Sequence, residues 1–158
     1  MYIYAIKIVD HMKVKESIEI NVSPEKIWPF FTEPEKIMLW YSTIRKFEYT
    51  SDQRKGVGTP IYIEEQAGGP EMKIHFQATE WDENKKIAIN MVSGTGVKSY
   101  NQVWSLEKIP SGTRFTFQEE VELPFGILGK LLGLIGQKMS EGTVTKIQNK
   151  LKELCEEV

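Results

Sequence analysis

Residues 17–40, SIEINVSPEKIWPFFTEPEKIMLW, decide how this chain folds. The segment opens inside an alternating run. Val14, Ile18, Ile20 and Val22 share one face, and Lys15, Ser17, Glu19 and Asn21 share the other, with Glu16 the one polar residue on the apolar side. A period of two means a half-buried strand. The alternation stops at Ser23-Pro24-Glu25. Serine is a favoured helix N-cap, and proline is tolerated at the first helical position, where its missing N–H would be unpaired anyway. The pattern therefore predicts a short helix carrying Ile27, Trp28, Phe30 and Phe31. The same signal recurs at Pro34, so a second short helix carries Ile37, Met38 and Trp40.

Downstream, alternation returns in short runs separated by turn residues. They are Ile44 to Thr50, Gly58 to Gln66, Met72 to Thr79, Ile87 to Met91, Tyr100 to Leu106 and Thr113 to Leu123. Ala67-Gly68-Gly69-Pro70, Asp82-Glu83-Asn84-Lys85, Gly94-Thr95-Gly96 and Pro110-Ser111-Gly112 punctuate them. Connections of hairpin length pair their strands antiparallel. After Pro124 the strand signals end, and Phe125 to Val158 reads as one long helix or a kinked pair. The expected class is α+β: about seven antiparallel strands, two short helices and a long C-terminal helix.

Residues 1 to 11 look unlike the rest of the chain. They read as an N-terminal extension or a cloning remnant ahead of a natural start at Met12, with 12–158 as the single domain. The alternative is an edge strand, since Tyr2, Tyr4, Ile6 and Ile8 alternate. A chain of 158 residues with 41% hydrophobic and 27% charged side chains supports one core and argues against disorder. The net charge of -2, with lysines such as Lys146, Lys150 and Lys152 interleaved with acids, argues against nucleic-acid binding. No apolar run reaches the ~18 residues that span a bilayer. The lone Cys155 has no disulfide partner, so a reducing, cytoplasmic location is expected.

Three phrases in this order carry a resemblance: residues 17–40; ATEWDENKKIAI, 78–89; and VWSLEKIPSGTRFTFQEEVEL, 103–123. An opening strand with a Ser-Pro-Glu and Trp-bearing helix pair, an acid-rich turn, and a Trp-Ser-Leu-Glu hairpin closing on Gly-Thr-Arg resemble the START-like superfamily, the polyketide cyclase/dehydrase and lipid-transport group. The resemblance covers about residues 13 to 158. It implies the helix-grip fold, a curved seven-stranded sheet closing on the last helix around a hollow for lipids, sterols, polyketides, plant hormones or quinones. Some such proteins are aromatase/cyclases, while others are carriers or partners of larger complexes.

The residues themselves supply little catalytic signature. His11 and His75 are far apart with no metal-ligand spacing, so no metal is expected. Gly126, Gly129, Gly133 and Gly136 lack the lysine and the preceding strand of a phosphate loop, and no cofactor is implied. Cys155 reads as a structural residue. Glu16, Glu65 and Glu119 share faces with apolar residues and are the candidate acids or bases. A carboxyl buried beside a ligand holds its proton to higher pH and becomes useful for proton transfer.

A hollow domain needs large side chains around the void and a few polar ones to orient the ligand. The expected ligand contacts are Trp40, Tyr62, Phe76, Tyr100, Gln102, Trp104, Gly129 and Gly133. In the last helix, Val144, Ile147, Leu151, Leu154 and Val158 form one stripe at ~100° per residue, and the glycines continue it. Either a straight helix presents a bare face to the ligand, or it breaks between Gly136 and Gly142 to swing a leucine face inward. The expected function is binding or transport of a hydrophobic small molecule by a monomer or homodimer. A polyketide cyclase/dehydrase activity, or transient contact with a membrane or protein, are the alternatives.

Overall fold

Each alternating run becomes a strand, and the strands form one antiparallel sheet. The computed structural model describes residues 11–68, 71–124 and 126–157, the side chains of 126–135 excepted. Its strands are β1 (His11–Ile20), β2 (Ile44–Tyr49), β3 (Pro60–Glu65), β4 (Met72–Asp82), β5 (Lys86–Gly94), β6 (Ser99–Ile109) and β7 (Gly112–Glu122). They lie in the order β1-β7-β6-β5-β4-β3-β2. From β2 to β7 each strand pairs with its sequence neighbours, as short turns require. Strand β1 adds to β7, with Ile18 opposite Phe115 and Glu16 opposite Phe117.

The sheet is strongly curled. Register shifts at Ile44/Lys46, His75/Phe76 and Ala78/Glu80 bend β2 and β4, since each irregularity locally increases twist. The concave face takes Val14, Ile20, Ile61, Ile63, Ile74, Phe76, Ile87, Ile89, Tyr100, Trp104, Phe115 and Phe117, all buried.

The helical segment after β1 differs from expectation. The first helix is divided into α1 (Pro24–Ile27) and α2 (Pro29–Thr32), followed by α3 (Pro34–Trp40). Pro29 has no N–H to donate into the preceding turn, so the helix restarts there. These short helices bring an aromatic cluster into the concavity. Phe31 lies 5.0 Å from Phe115 and 5.4 Å from Trp104, and Trp40 lies 5.5 Å from Trp104, between ring centroids. The Trp40 indole donates to the Phe30 carbonyl at 2.8 Å, which satisfies its buried N–H.

The last helix, α4 (Gly126–Glu156), runs without a break through Gly136 and Gly142. Val144, Ile147, Leu151 and Cys155 are buried against the sheet and Leu154 packs at the edge of the core. Burying a side chain such as Ile147 or Leu151 contributes ~1.5–3 kcal/mol. The polar flank of α4 follows the outer edge of β1. Gln137 Nε2 donates to the Lys13 carbonyl and its Oε1 accepts the Lys13 N–H. Gln148 donates to the Glu16 carbonyl, Lys152 to the Glu19 carbonyl, and Glu156 accepts from the Asn21 N–H. Among the described residues no helix is long and apolar enough to cross a membrane.

Candidate functional site

The aromatic cluster fills the concavity beneath α1–α3. Beside it, between α4 and the sheet, lies a pocket of about 290 Å³. Its described wall comes from Met12 on β1, Glu65 on β3, Met72 on β4, Tyr100 on β6, Glu119 and Val121 on β7, and Gly136, Met139, Ser140, Thr143, Val144 and Ile147 on α4. Tyr41, Gly96, Val97, Leu123 and the turn at Ala67-Gly68 complete it. The wall is mainly apolar, and its polar groups converge at one place.

That place is built by strand parity and sheet curvature. Tyr100 and Gln102 face inward on β6, and Gln102 lies opposite Glu119 on β7. Glu65 ends β3, which is separated from β7 by three strands. In a flat sheet those two strands would lie about 19 Å apart, at ~4.8 Å per step. Here one hydroxyl reaches both carboxyls: Tyr100 Oη is 3.0 Å from Glu65 Oε2 and 2.8 Å from Glu119 Oε2. The Gln102 amide nitrogen lies 2.7 Å from the hydroxyls of Tyr41 and Tyr100 and 3.2 Å from Glu119 Oε2. Thr43 donates its hydroxyl to Glu65 Oε1 at 2.9 Å.

Glu65 and Glu119 are 5% and 9% exposed, which leaves neither carboxyl solvated by bulk water. Burial raises the Glu65 carboxyl to about 7, aided by the charge of Glu119 and opposed by hydrogen bonds from Thr43, Tyr100 and Tyr41. Burial also raises Glu119, against hydrogen bonds from Tyr100, Gln102 and Ser140. Tyr41 and Tyr100 are pushed well above the usual phenol range by burial first and the two carboxylates second. Both phenols therefore keep their protons, while the Glu65 carboxyl titrates at about 7 and burial also holds the Glu119 carboxyl above the usual carboxylate range. The constellation can hold, share and transfer a proton, and can orient a polar group on a bound molecule.

The expected site residues divide. Tyr100, Glu65 and Glu119 stand together in the pocket wall, and Gln102 joins them through hydrogen bonds. Phe76 supports the site edge-on, 5.4 Å from the Tyr100 ring. Trp40 and Trp104 belong to the aromatic cluster rather than the described wall. Tyr62 is corrected outright: on β3 the residues Ile61, Ile63 and Glu65 point inward, so Tyr62 points outward. Its ring lies 4.8 Å from that of His75, tilted by 43°, and its hydroxyl donates to Glu64. Glu16 is half-buried and lies outside the described pocket wall; its carbonyl accepts from Gln148. The side-chain surroundings of Gly129 and Gly133 lie outside the described residues, as does the extension before His11. Among the described residues no cluster of three or more His, Cys, Asp or Glu side chains is placed to hold a metal.

Tyr41, Ser140 and Met12 line the pocket without being among the ligand contacts expected from the sequence. Tyr41 ends α3 with φ -87° and ψ 77°, leaving the helical region, and its side chain is buried beside the acid pair.

A family model described as polyketide cyclase/dehydrase and lipid transport matches residues 11–156. An uncharacterized protein of Mycobacterium tuberculosis is 24% identical over 107 residues, which is 65% of this chain and 61% of that protein. Among solved structures, a protein from Thermus thermophilus superposes with TM-score 0.74 at 20% identity, covering 92% of this chain and 96% of the other. A START superfamily protein from Mycobacterium smegmatis superposes with TM-score 0.74 at 16% identity, covering 92% and 97%.

Proposed function

The chain belongs to the polyketide cyclase/dehydrase and lipid-transport family, and from that premise we propose that it binds and carries a hydrophobic small molecule between α4 and the sheet. The observation that carries this reading is the asymmetry of the pocket. Its volume of about 290 Å³ is walled by Met72, Val97, Val121, Val144 and Ile147, with polar groups gathered at Tyr100, Glu65 and Glu119. An apolar enclosure with a few convergent polar groups is the usual design of a small-molecule site. The test is titration with the neutral dye Nile red, together with native mass spectrometry and organic extraction of gently purified protein. Saturable dye binding displaced by an extracted compound supports the reading. Absence of both saturable dye binding and a co-purified compound would overturn it.

One observation favours a second reading, an enzyme of the cyclase/dehydrase kind. A carboxyl titrating at about 7 stands in the pocket wall beside the Tyr100 hydroxyl. As the carboxylate, Glu65 would accept a proton from the carbon between two carbonyl groups, while Tyr100 donates a hydrogen bond to the oxygen that gains charge. Deuterium exchange at that carbon of a bound β-diketone, followed by mass spectrometry, tests it. Exchange that is faster than in buffer and lost in Glu65→Gln supports the enzyme. Exchange at the buffer rate removes it.

A further inference from the structure

The pocket wall contains two carboxyls and, among the described residues, no lysine, arginine or histidine. This contrasts with the neighbouring acids of β7 that face outward. Glu120 is 3.4 Å from both Lys13 Nζ and His11 Nδ1, and Glu122 is 3.2 Å from Lys98 Nζ. Among the described residues, the elements around the inner pair bring no cation either. In register with Glu65 stand Ile44 on β2 and Met72 on β4, and in register with Glu119 stand Val14 on β1 and Gln102 on β6. From α4 comes Ser140. Among the described residues, the titratable groups facing the pair are Tyr41 and Tyr100.

The donors around the pair are all neutral: Thr43, Tyr41 and Tyr100 towards Glu65, and Tyr100, Gln102 and Ser140 towards Glu119, so they supply hydrogen bonds but no positive charge. A buried carboxylate pair without a counter-charge is costly and is relieved either by retaining a proton or by meeting a cation. Both carboxyls border the pocket, so a ligand entering it meets them directly.

We propose that the ligand has an apolar body and a protonated amine, with the ammonium lodged against Glu65 and Glu119 and the body against Val97, Val144 and Ile147. The assignment rests on the ligand-binding reading above and narrows it to one ligand class. In the empty pocket the retained proton takes the place of that charge. The entering ammonium displaces it, and the proton leaves to solvent. Amine affinity therefore rises with pH through the titration of the pair. Anionic ligands are repelled at every pH at which either carboxyl is charged.

Displacement of Nile red by three molecules of one shape, 1-adamantylamine, 1-adamantanol and 1-adamantanecarboxylate, tests the inference from pH 6 to 8. The amine is expected to bind tightest at pH 8 and to gain up to about tenfold in affinity across that range, the limit for release of one proton with a midpoint near 7. The alcohol is expected to bind without that rise, and the carboxylate weakest. In Glu65→Gln and Glu119→Gln the amine loses its advantage while the alcohol still binds. The wild-type pH profile stands even if a variant fails to fold. Equal amine and alcohol affinity at pH 8, preference for the carboxylate, or an amine preference that survives both variants would overturn the inference. So would Nile red binding with none of the three displacing it. Failure of Nile red to bind, with no co-purified compound, removes the ligand-binding reading, and this inference with it; where a compound does co-purify, the three adamantanes are read by native mass spectrometry with the same expected order.

Discussion

Replacing Glu65 by Gln should stabilise the protein at neutral pH and leave it nearly unchanged in acid. In the folded state the Glu65 carboxyl titrates at about 7, against its ordinary value of 4.5, because it is buried beside Glu119. Between those two pH values the folded protein holds a proton that the unfolded chain has released. Stability from this group is therefore greatest below pH 4.5, falls as pH rises towards 7, and is level above it. The shift corresponds to about 3 kcal/mol. Glutamine keeps the shape and an oxygen for the Thr43 hydroxyl, but carries no charge at any pH. The assay is urea denaturation of both proteins at half-unit steps from pH 4.5 to 8. Subtracting wild type from variant cancels the titrating groups that do not interact with Glu65, and leaves the change at Glu65 together with its effect on the coupled Glu119. The difference should shift in favour of the variant by about 3 kcal/mol between pH 4.5 and 7.5. A difference constant with pH would refute the reasoning, because it would mean that Glu65 ionises as freely in the folded protein as in the unfolded one.

At Gly136 a Cβ would lie 2.7 Å from Met12 Sδ, the end of a flexible side chain. Leucine there regains up to ~1 kcal/mol of helix propensity, so Tm should move by less than about 5 °C. It also occupies part of the pocket, and Nile red titration should show weakened binding. Gly112 stands at φ +143° with the Ile20 carbonyl where a Cβ would be. Gly112→Ala should therefore cost ~2 kcal/mol or more, read as a lowered denaturation midpoint. The Cys155 thiol is buried and pushed up to about 12. It should resist Ellman's reagent at pH 8 in the folded protein and react promptly in urea.

The parts of this fold set by local rules were open to reading in the sequence. The alternation in β1, β4, β6 and β7 gave both the strands and their inward faces, because parity is a property of a few neighbouring residues. The same rule, applied strictly to β3, would have turned Tyr62 outward once Ile61 and Ile63 were taken as core. Pro29 was likewise a local signal, and it divides a helix that the Ser-Pro-Glu start made look continuous. The acid pair is a different matter. Glu65 and Glu119 were each visible as carboxyls on apolar faces, but their meeting depends on how far the sheet curls between β3 and β7. That curvature comes from several register shifts acting together, and no residue on either strand announces it. Tyr41 sits just beyond a helix end, where no periodicity applies.

The pairing of Gln137 with Lys13 gives α4 a second task. A strand at a sheet edge exposes unpaired peptide groups, and two such edges from different molecules tend to join. With its carbonyl accepting and its amide nitrogen donating, the Gln137 side chain offers Lys13 the same two bonds that an eighth strand would. Gln148, Lys152 and Glu156 continue along β1 towards the end of the helix. The C-terminal half of α4 is thereby stapled to the sheet edge, both guarding it from other chains and fixing its own position along it.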